Sequence, residues 1–225
     1  MPHRPRTVAF DVVETLMSLE PLRARLTGIG LAPGTLELWF GRMLNDGMAL
    51  TVTGDYKPFP TVAAAALRTV ARGGLDEAGV EHVLAGFAEL PAQPDAEPAM
   101  QALAEAGVSM VCLSNGAAET TAGFLDRNGL SGYIADVIGV ADVGAWKPAG
   151  RVYRYALERL GQPAADVALV AVHAFDCHGA AHAGLTTGWA SRLEGHYADV
   201  FAPADVTGAD LVDVAHGLLA LPADH

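Results

Sequence analysis

Short, mostly apolar runs without a charged residue constrain the fold of this chain more than any other feature of its sequence. They span residues 7–10, 108–113, 167–172 and 186–191, and segments of helix length or longer separate them. Such runs are typical of strands buried on both faces of a parallel sheet. Strands that alternate with helices form βαβ units, so the sequence predicts an α/β fold with a doubly wound parallel sheet.

The segment of residues 17–90 interrupts this alternation. It contains amphipathic helical patterns at residues 36–50 and 61–72, and a proline-rich stretch follows it. A helical insertion after the first strand is typical of a smaller domain placed within a larger one. We therefore predict two domains, an inserted helical cap of residues 17–90 and a core of residues 1–16 and 91–225.

The composition favours a globular protein that acts on a small molecule. Hydrophobic residues make up 51% of the chain and charged residues 18%, and the formal net charge is −12. Nucleic-acid phosphates require clustered Lys and Arg, which this acidic chain lacks. No apolar stretch approaches the roughly 20 residues that a membrane-spanning helix needs. We expect neither a nucleic-acid partner nor a membrane span.

The chain start and the cysteines indicate a compartment. No apolar signal segment follows residues 1–6, and Cys112 and Cys177 are the two cysteines of the sequence. Without an export signal, a reducing compartment in which both thiols stay free is the simpler interpretation. We expect a cytoplasmic protein.

Polar side chains stand at the ends of the predicted strands. Asp11 ends the first run, Ser114 and Asn115 end the second, and His173 and Asp176 follow the third. Because the carboxyl ends of parallel strands meet at one edge of a sheet, Asp11, Ser114 and Asp176 should converge in one crevice. A carboxylate placed there can attack an electrophilic carbon or phosphorus, and water then opens the ester or acyl phosphate.

Other residues would support a carboxylate nucleophile. Lys147, which precedes Pro148 and a predicted helix, would hold Asp11 ionised through an opposite charge within a few ångströms. Asp176 is a candidate base or metal ligand. Ser114 and Asn115 offer polar groups beside a helix start, where backbone N–H groups favour an anion. Each residue taken alone could also be structural, as a helix cap or a surface charge.

These segments, in this order and spacing, resemble the haloacid dehalogenase superfamily. The similarity to its type II 2-haloacid dehalogenases is carried by three stretches, Leu113-Ser114-Asn115-Gly116, Lys147-Pro148 and Val152-Tyr153. The resemblance covers nearly the whole chain, including the cap. It implies a Rossmann-like core with a helical cap, a homodimer, and hydrolytic dehalogenation of short 2-halo carboxylic acids without a cofactor.

The resemblance also implies a role for each residue of the crevice. Asp11 would displace halide in line and form an aspartyl ester, Lys147 would keep Asp11 charged, and Asp176 would activate the water that opens the ester. Donors to the nucleophile and to the substrate carboxylate would be Thr15 and Ser114, with Asn115 and Tyr153 nearby.

Val13 separates this interpretation from a phosphatase. Phosphatases of the superfamily carry a second Asp two residues after the nucleophile, where it protonates the leaving alkoxide, and here that position is Val13. A halide leaves without a proton. Glu14 is the nearest acid, but strand alternation is expected to point it elsewhere. We predict no obligatory metal; the alternative is a Mg²⁺-dependent phosphatase of small phosphometabolites.

Three positions also depart from type II dehalogenases. Ala171 and His173 stand where those enzymes usually carry Ser and Asn, and we expect His173 to replace the amide as a donor. Their halide-binding Arg usually follows a cap Trp, whereas Trp39 is followed here by Phe40, with Arg42 two positions later than usual. Trp39 and Arg42 remain candidates for substrate binding, although a helix turns ~100° per residue and the shift moves Arg42 well around it. A decayed site that only binds a small carboxylate is the non-catalytic alternative.

Overall fold

Six parallel strands form one sheet in the computed structural model, which describes residues 2–223. The sheet order is β3-β2-β1-β4-β5-β6, and every neighbouring pair is parallel. The strands are β1 (Thr7–Phe10), β2 (Ser109–Ser114), β3 (Asp136–Gly139), β4 (Val167–Ala171), β5 (Thr186–Ala190) and β6 (Val206–Gly208). This order is that of a doubly wound Rossmann-like sheet, so the predicted fold class is confirmed.

The strand order reverses at β1, which lies between β2 and β4. Phe10 is in register with Cys112 on one side and with Val170 on the other. All four residues of β1 are buried, as the uncharged sequence of this strand predicts. Ligands of such sheets bind outside the strand carboxyl ends at this reversal, and Asp11 follows β1 directly at that point.

Nine helices of the α type lie in the described part of the chain. They are α1 (Glu20–Gly28), α2 (Thr35–Thr53), α3 (Phe59–Val70), α4 (Glu77–Ala85), α5 (Ala96–Glu105), α6 (Ala118–Arg127), α7 (Gly150–Leu160), α8 (Ala174–His182) and α9 (Leu211–Leu219). No helix among residues 2–223 is both long enough and apolar enough to span a membrane.

The four helices α1 to α4 form the segment that the sequence assigns to the cap. Met17 and Ala92 form an isolated antiparallel bridge, and Ser18 N–H donates to Pro91 O at 2.9 Å. The chain therefore enters and leaves this helical segment at one place. The boundaries at residues 17 and 91 stay a prediction, and residues 1, 224 and 225 of the predicted core lie outside the described range.

Helix α2 approaches the strand ends through a glycine. Its buried residues Leu36, Trp39, Phe40, Met43 and Gly47 recur at helical spacing and form one face. A Cβ added at Gly47 would lie 2.4 Å from the ring of Trp146, the residue before Lys147. The missing side chain thus sets how closely α2 packs over the carboxyl edge of the sheet.

The sequence patterns do not predict strands β3 and β6. Strand β3 starts with the charged residue Asp136, and β6 has only three residues, of which Val206 alone is buried. Neither contains an uncharged apolar run long enough to be recognised. These two strands form because they extend the edges of a sheet that the other strands have already organised.

Candidate active site

Asp11 is fixed at the centre of the predicted crevice. Its backbone N–H donates to Val170 O at 3.0 Å, which continues the β1–β4 ladder by one residue. Its carboxylate accepts hydrogen bonds at both oxygens, from Lys147 Nζ to Oδ1 at 2.6 Å and from Thr15 Oγ1 to Oδ2 at 2.7 Å. Thr15 is held in turn, since its hydroxyl oxygen accepts from Val172 N–H at 3.2 Å. The structure therefore brings Asp11, Thr15 and Lys147 together as predicted.

Lys147 connects the two carboxylates of the site. Its ammonium group donates to Asp11 Oδ1, to Asp176 Oδ2 at 2.7 Å and to Leu113 O at 2.9 Å. The side chains of Lys147 and Asp176 are each only 1% exposed. An ammonium has three N–H donors, and all three are used here. Lys147 therefore has a fixed position between Asp11 and Asp176.

The two carboxylates have different pKa shifts. Burial raises the pKa of Asp11, but the charges of Lys147 and His173 and the hydrogen bonds from Lys147 and Thr15 outweigh it and lower the pKa below its ordinary value. Burial also raises the pKa of Asp176, and there the negative charge of Asp11 adds to it, so that the pKa of Asp176 is raised despite Lys147. Asp11 is thus favoured in its ionised form, and Asp176 is the more basic of the two carboxylates.

Tyr153 holds the second oxygen of Asp176. Its hydroxyl donates to Asp176 Oδ1 at 2.5 Å. Burial, followed by the charge of Asp176, raises the pKa of Tyr153 well above its ordinary value, so the phenol stays protonated and remains a donor. Tyr153 therefore orients the Asp176 carboxylate.

Ser114 and Asn115 form the turn between β2 and α6. Ser114 Oγ accepts from Gly116 N–H at 2.9 Å, and Asn115 Oδ1 accepts from Lys147 N–H at 2.9 Å. The Ser114 hydroxyl hydrogen and the Asn115 amide nitrogen remain as donors beside the first turn of α6. Two neutral donors at a helix N-terminus form a suitable environment for a carboxylate.

His173 follows β4, which lies on the other side of β1 from β2. Its side chain is buried, and the residue is 7% exposed. Its ring stacks between Phe40 and Phe175, with centroid distances of 5.9 and 5.3 Å. Glu14 Oε2 lies 3.2 Å from Nε2, and Glu194 Oε1 lies 3.8 Å from Nδ1. Burial lowers the pKa of His173, but its ion pairs with Glu14 and Glu194, together with the charge of Asp11, raise it to about 10.

The expectation that Glu14 points away from the site was wrong. Strand alternation does not apply to it, because Glu14 has a left-handed backbone with φ of 67°. Its N–H donates to Met17 O, and its carbonyl accepts from Gln93 Nε2 and Arg192 Nη2. These bonds hold the unusual conformation that directs the carboxylate to His173. Neither Glu14 nor Glu194 was assigned a site role from the sequence, and no local pattern marks Glu194.

A cavity lies between the strand ends and the helices α2 and α3. Its lining residues are Asp11, Val13, Phe40, Leu44, Phe59, Asn115, Lys147, His173 and Phe175. A second, mainly apolar cavity of about 370 Å³ adjoins it, shares Val13 and Phe59 with it, and includes Ser114 in its wall. The Asp11 side chain therefore faces a small space with aromatic walls that the predicted cap covers.

Two residues predicted to bind substrate are not at this cavity. Trp39 is buried within the helical segment and donates its indole N–H to Ala63 O at 2.8 Å. Arg42 pairs with Asp46 at 2.8 Å, and its side chain is 45% exposed. The structure corrects both predictions. Helix α2 is oriented about its axis so that Phe40 and Leu44 face the cavity and Arg42 faces solvent.

Relatives with named activities match most of the chain. The family model of the haloacid dehalogenase-like hydrolases matches residues 5–184. The (S)-2-haloacid dehalogenase 1 of Pseudomonas sp. (strain CBS-3) is 30% identical over 204 residues, which cover 88% of this chain and 89% of the relative. The (S)-2-haloacid dehalogenase 4A of Burkholderia cepacia is 28% identical over 187 residues, or 81% of each chain.

Solved structures agree with these sequence relatives. The L-2-haloacid dehalogenase RSc1362 superposes with a TM-score of 0.88 at 29% identity, over 96% of this chain and 99% of the other. The L-2-haloacid dehalogenase of Xanthobacter autotrophicus with chloropropionic acid covalently bound has the same fold, with a TM-score of 0.86 at 22% identity and the same coverage. With this fold, a family match over most of its length, and a buried carboxylate at the reversal of its sheet, the chain belongs to the haloacid dehalogenase-like hydrolases.

Proposed function

We propose that this chain is a 2-haloacid dehalogenase that hydrolyses the carbon–halogen bond of short 2-halo carboxylic acids through a covalent aspartyl ester. The observation that carries the proposal is the environment of Asp11. Its carboxylate is held ionised by Lys147 and faces a cavity in which Val13 stands where a phosphatase needs an acid. A nucleophile without a nearby general acid suits a leaving group that departs as a stable anion.

The first step joins Asp11 to the substrate. An oxygen of the Asp11 carboxylate attacks C2 of the 2-halo acid from the side opposite the halogen. The C2–halogen bond breaks, its electron pair leaves with the halide, and an ester forms without any proton transfer. The hydrogen bonds from Lys147 and Thr15 hold the carboxylate in one orientation, which lowers the entropic cost of the in-line approach.

The second step opens the ester at the carboxyl carbon of Asp11. Asp176, whose raised pKa makes it a stronger base than an ordinary carboxylate, takes a proton from the attacking water. Each oxygen of Asp11 has its own donor, Lys147 at Oδ1 and Thr15 at Oδ2, so the oxygen that becomes negative in the tetrahedral intermediate is hydrogen-bonded whichever one forms the ester. Collapse breaks the bond between the Asp11 carboxyl carbon and the ester oxygen. The proton taken by Asp176 passes to that oxygen and gives the 2-hydroxy acid, and the second proton of the water leaves the Asp11 carboxyl group for solvent.

The substrate carboxylate fits the turn at Ser114 and Asn115. The free donors of both side chains adjoin the first turn of α6; Asn115 lines the cavity at Asp11, and Ser114 lines the larger neighbouring cavity. Binding at this turn would place C2 near Asp11 and the substituents between the aromatic walls. This assignment supports the partner class predicted from the sequence, a small carboxylate.

The proposal includes catalysis without a metal or another cofactor. A cation that bridges Asp11 and Asp176 is already part of the chain, because Lys147 Nζ lies 2.6 and 2.7 Å from their oxygens. The positive charge of Lys147 keeps Asp11 ionised, but an ammonium group cannot act as the Lewis acid that supports phosphoryl transfer.

We also propose a cytoplasmic homodimer. Leu38 and Val52 on α2 are 62% and 86% exposed, an unusual exposure for large apolar side chains, and support this helix as the contact surface. Cys112 and Cys177 are both free and buried, which suits a reducing compartment.

The test is halide release from 2-chloropropionate by the wild-type protein and by Asp11→Asn, each with and without a chelator. We expect release that survives chelation and falls by more than about 10³-fold in Asp11→Asn, because the amide is not a nucleophile. Magnesium-dependent phosphate release from a generic phosphoester, with no halide release, would establish the phosphatase instead. Inactivity in both assays would favour a protein that only binds a carboxylate.

A further inference from the structure

The departing halide needs a positively charged or hydrogen-bonding partner. It acquires a full negative charge inside a cavity whose walls include Phe40, Phe59 and Phe175 and give it little hydration. Among the lining residues that the structure describes, the basic side chains are Lys147 and His173. The three ammonium donors of Lys147 are committed to Asp11, Asp176 and Leu113. His173 is therefore the remaining basic group that faces the reacting atoms.

The ring of His173 has a donor to offer. Its Nε2 atom is buried without a hydrogen-bond partner among the described residues, since Glu14 Oε2 lies at ion-pair distance but without hydrogen-bond alignment. Stacking between Phe40 and Phe175 holds the ring in one plane. At the wall of the cavity, the fixed ring therefore has an Nε2–H that is paired with Glu14 by charge but not by an aligned hydrogen bond, and this N–H can be donated to an anion.

Two carboxylates keep this ring charged. Glu194 is fixed by Ala174 N–H and by the indole N–H of Trp189, which donate to its Oε2 at 2.9 and 3.2 Å. Glu14 is fixed through its backbone, as described above. Together with Asp11 they raise the pKa of His173 to about 10, although burial lowers it, so the imidazolium form predominates at neutral pH.

We propose that the imidazolium of His173 receives the departing halide and is the anion-binding group of the halide subsite in this chain. The inference rests on the proposed dehalogenase function. As the Asp11 oxygen–C2 bond forms and the C2–halogen bond breaks, the halide moves toward the imidazolium with the electron pair of the broken bond. No proton is transferred, and His173 stays protonated. Glu14 and Glu194 are positioning residues that act through His173.

The subsite lies where the core meets the helical segment. Phe40 on α2 and His173 before α8 face each other with their ring centres 5.9 Å apart. A guanidinium introduced at position 40 could therefore occupy nearly the same space as the imidazolium. The positive charge can thus be moved from the core side of the cavity to the α2 side by two substitutions.

Bromide binding measured by calorimetry tests this inference without any turnover. We expect His173→Asn to weaken bromide binding by about 10- to 100-fold, which is the contribution of one charged hydrogen bond. Adding Phe40→Arg to His173→Asn should restore binding to within a few-fold of the wild type. His182→Asn, the same substitution at an exposed position of α8, should bind bromide normally.

The pH dependence separates a charge effect from a packing effect. Bromide binding by the wild type should weaken as the pH rises through about 10, where His173 loses its proton. In Glu14→Gln this weakening should begin at a lower pH, because one carboxylate that holds the proton is gone. Folded His173→Asn that binds bromide as well as the wild type would overturn the inference. Bromide binding that depends on His173 in a protein without halide release would contradict the dehalogenase function and leave the anion site standing.

Discussion

At the scale of single residues, the site is a buried cluster of charges that satisfy one another. Lys147 contacts Asp11 and Asp176, and the three side chains lie almost entirely out of water. Buried charges cost free energy unless each has a partner, and removing one partner leaves the others uncompensated. The groups that carry out the chemistry are therefore also important for stability.

Lys147→Met is expected to abolish halide release and to lower the free energy of unfolding by about 3–5 kcal/mol, because two buried carboxylates lose their common cation. Urea unfolding and a halide assay measure the two effects. Lys57→Met is a matched control, since Lys57 also precedes a proline but is exposed. We expect it to change stability by no more than about 0.5 kcal/mol. Equal stability of the two variants would contradict the prediction.

His173 should make stability depend on alkaline pH. Its pKa in the folded chain is raised to about 10, above the value of about 6.5 expected after unfolding. The protonated ring therefore stabilises the fold fully below pH 6.5, and this contribution is lost as the pH rises through about 10. The stability difference between the wild type and His173→Gln should shrink between pH 7 and pH 11 in urea titrations. A difference that stays constant over this range would disprove the charge contribution.

At the scale of elements, helix α2 places the aromatic wall of the cavity. Phe40 and Leu44 line the cavity, while Arg42 on another face pairs with Asp46. The height of α2 above the sheet is set at Gly47, which lies against the ring of Trp146. Close packing at one glycine therefore determines the position of residues one and two turns away.

Gly47→Ala is expected to lower the free energy of unfolding by about 1–3 kcal/mol, because the new Cβ would lie 2.4 Å from the Trp146 ring and must displace it or the helix. The same displacement should raise KM for the halo acid by moving Phe40. Gly41→Ala on the exposed side of α2 meets no atom within 4 Å. It should stabilise the chain by about 0.5–1 kcal/mol. Thermal unfolding of both variants measures the contrast, and destabilisation of equal size would refute it.

At the scale of the whole molecule, a parallel sheet brings together residues that are far apart in the chain. Asp11, Lys147 and Asp176 meet because each follows the carboxyl end of a strand, β1, β3 and β4 respectively, and these ends lie at the same edge of the sheet. The helical segment enters and leaves the core at one bridge, between Met17 and Ala92. This connection allows the segment to cover the site without interrupting the strand order.

Replacing residues 18–90 with a short Gly-Ser linker should leave a core that folds but does not release halide. The linker can close because Ser18 N and Pro91 O lie 2.9 Å apart. The cavity would lose the walls that α2 and α3 supply, so water would reach the nucleophile. Circular dichroism and urea unfolding test the core, and the halide assay tests the site. A shortened chain without cooperative unfolding would count against the domain boundaries predicted at residues 17 and 91.

The sequence by itself determined the strands of the sheet centre and the residues that end them. Uncharged runs mark β1, β2, β4 and β5 because burial on both faces excludes charge, and the parallel order follows from the helices between them. Asp11, Lys147 and Asp176 were recognisable because each stands at a fixed distance from such a run or from a proline. The meeting of these residues in the structure is what their spacing predicts.

Only the tertiary structure decided which way several side chains point. The orientation of α2 about its axis places Arg42 in solvent and Phe40 at the cavity. This orientation depends on packing against Trp146, which lies far from α2 in the sequence. The left-handed backbone at Glu14 and the distant Glu194 together give His173 its charge. Periodicity describes contacts within an element, whereas these contacts join separate elements and are set by how the elements pack.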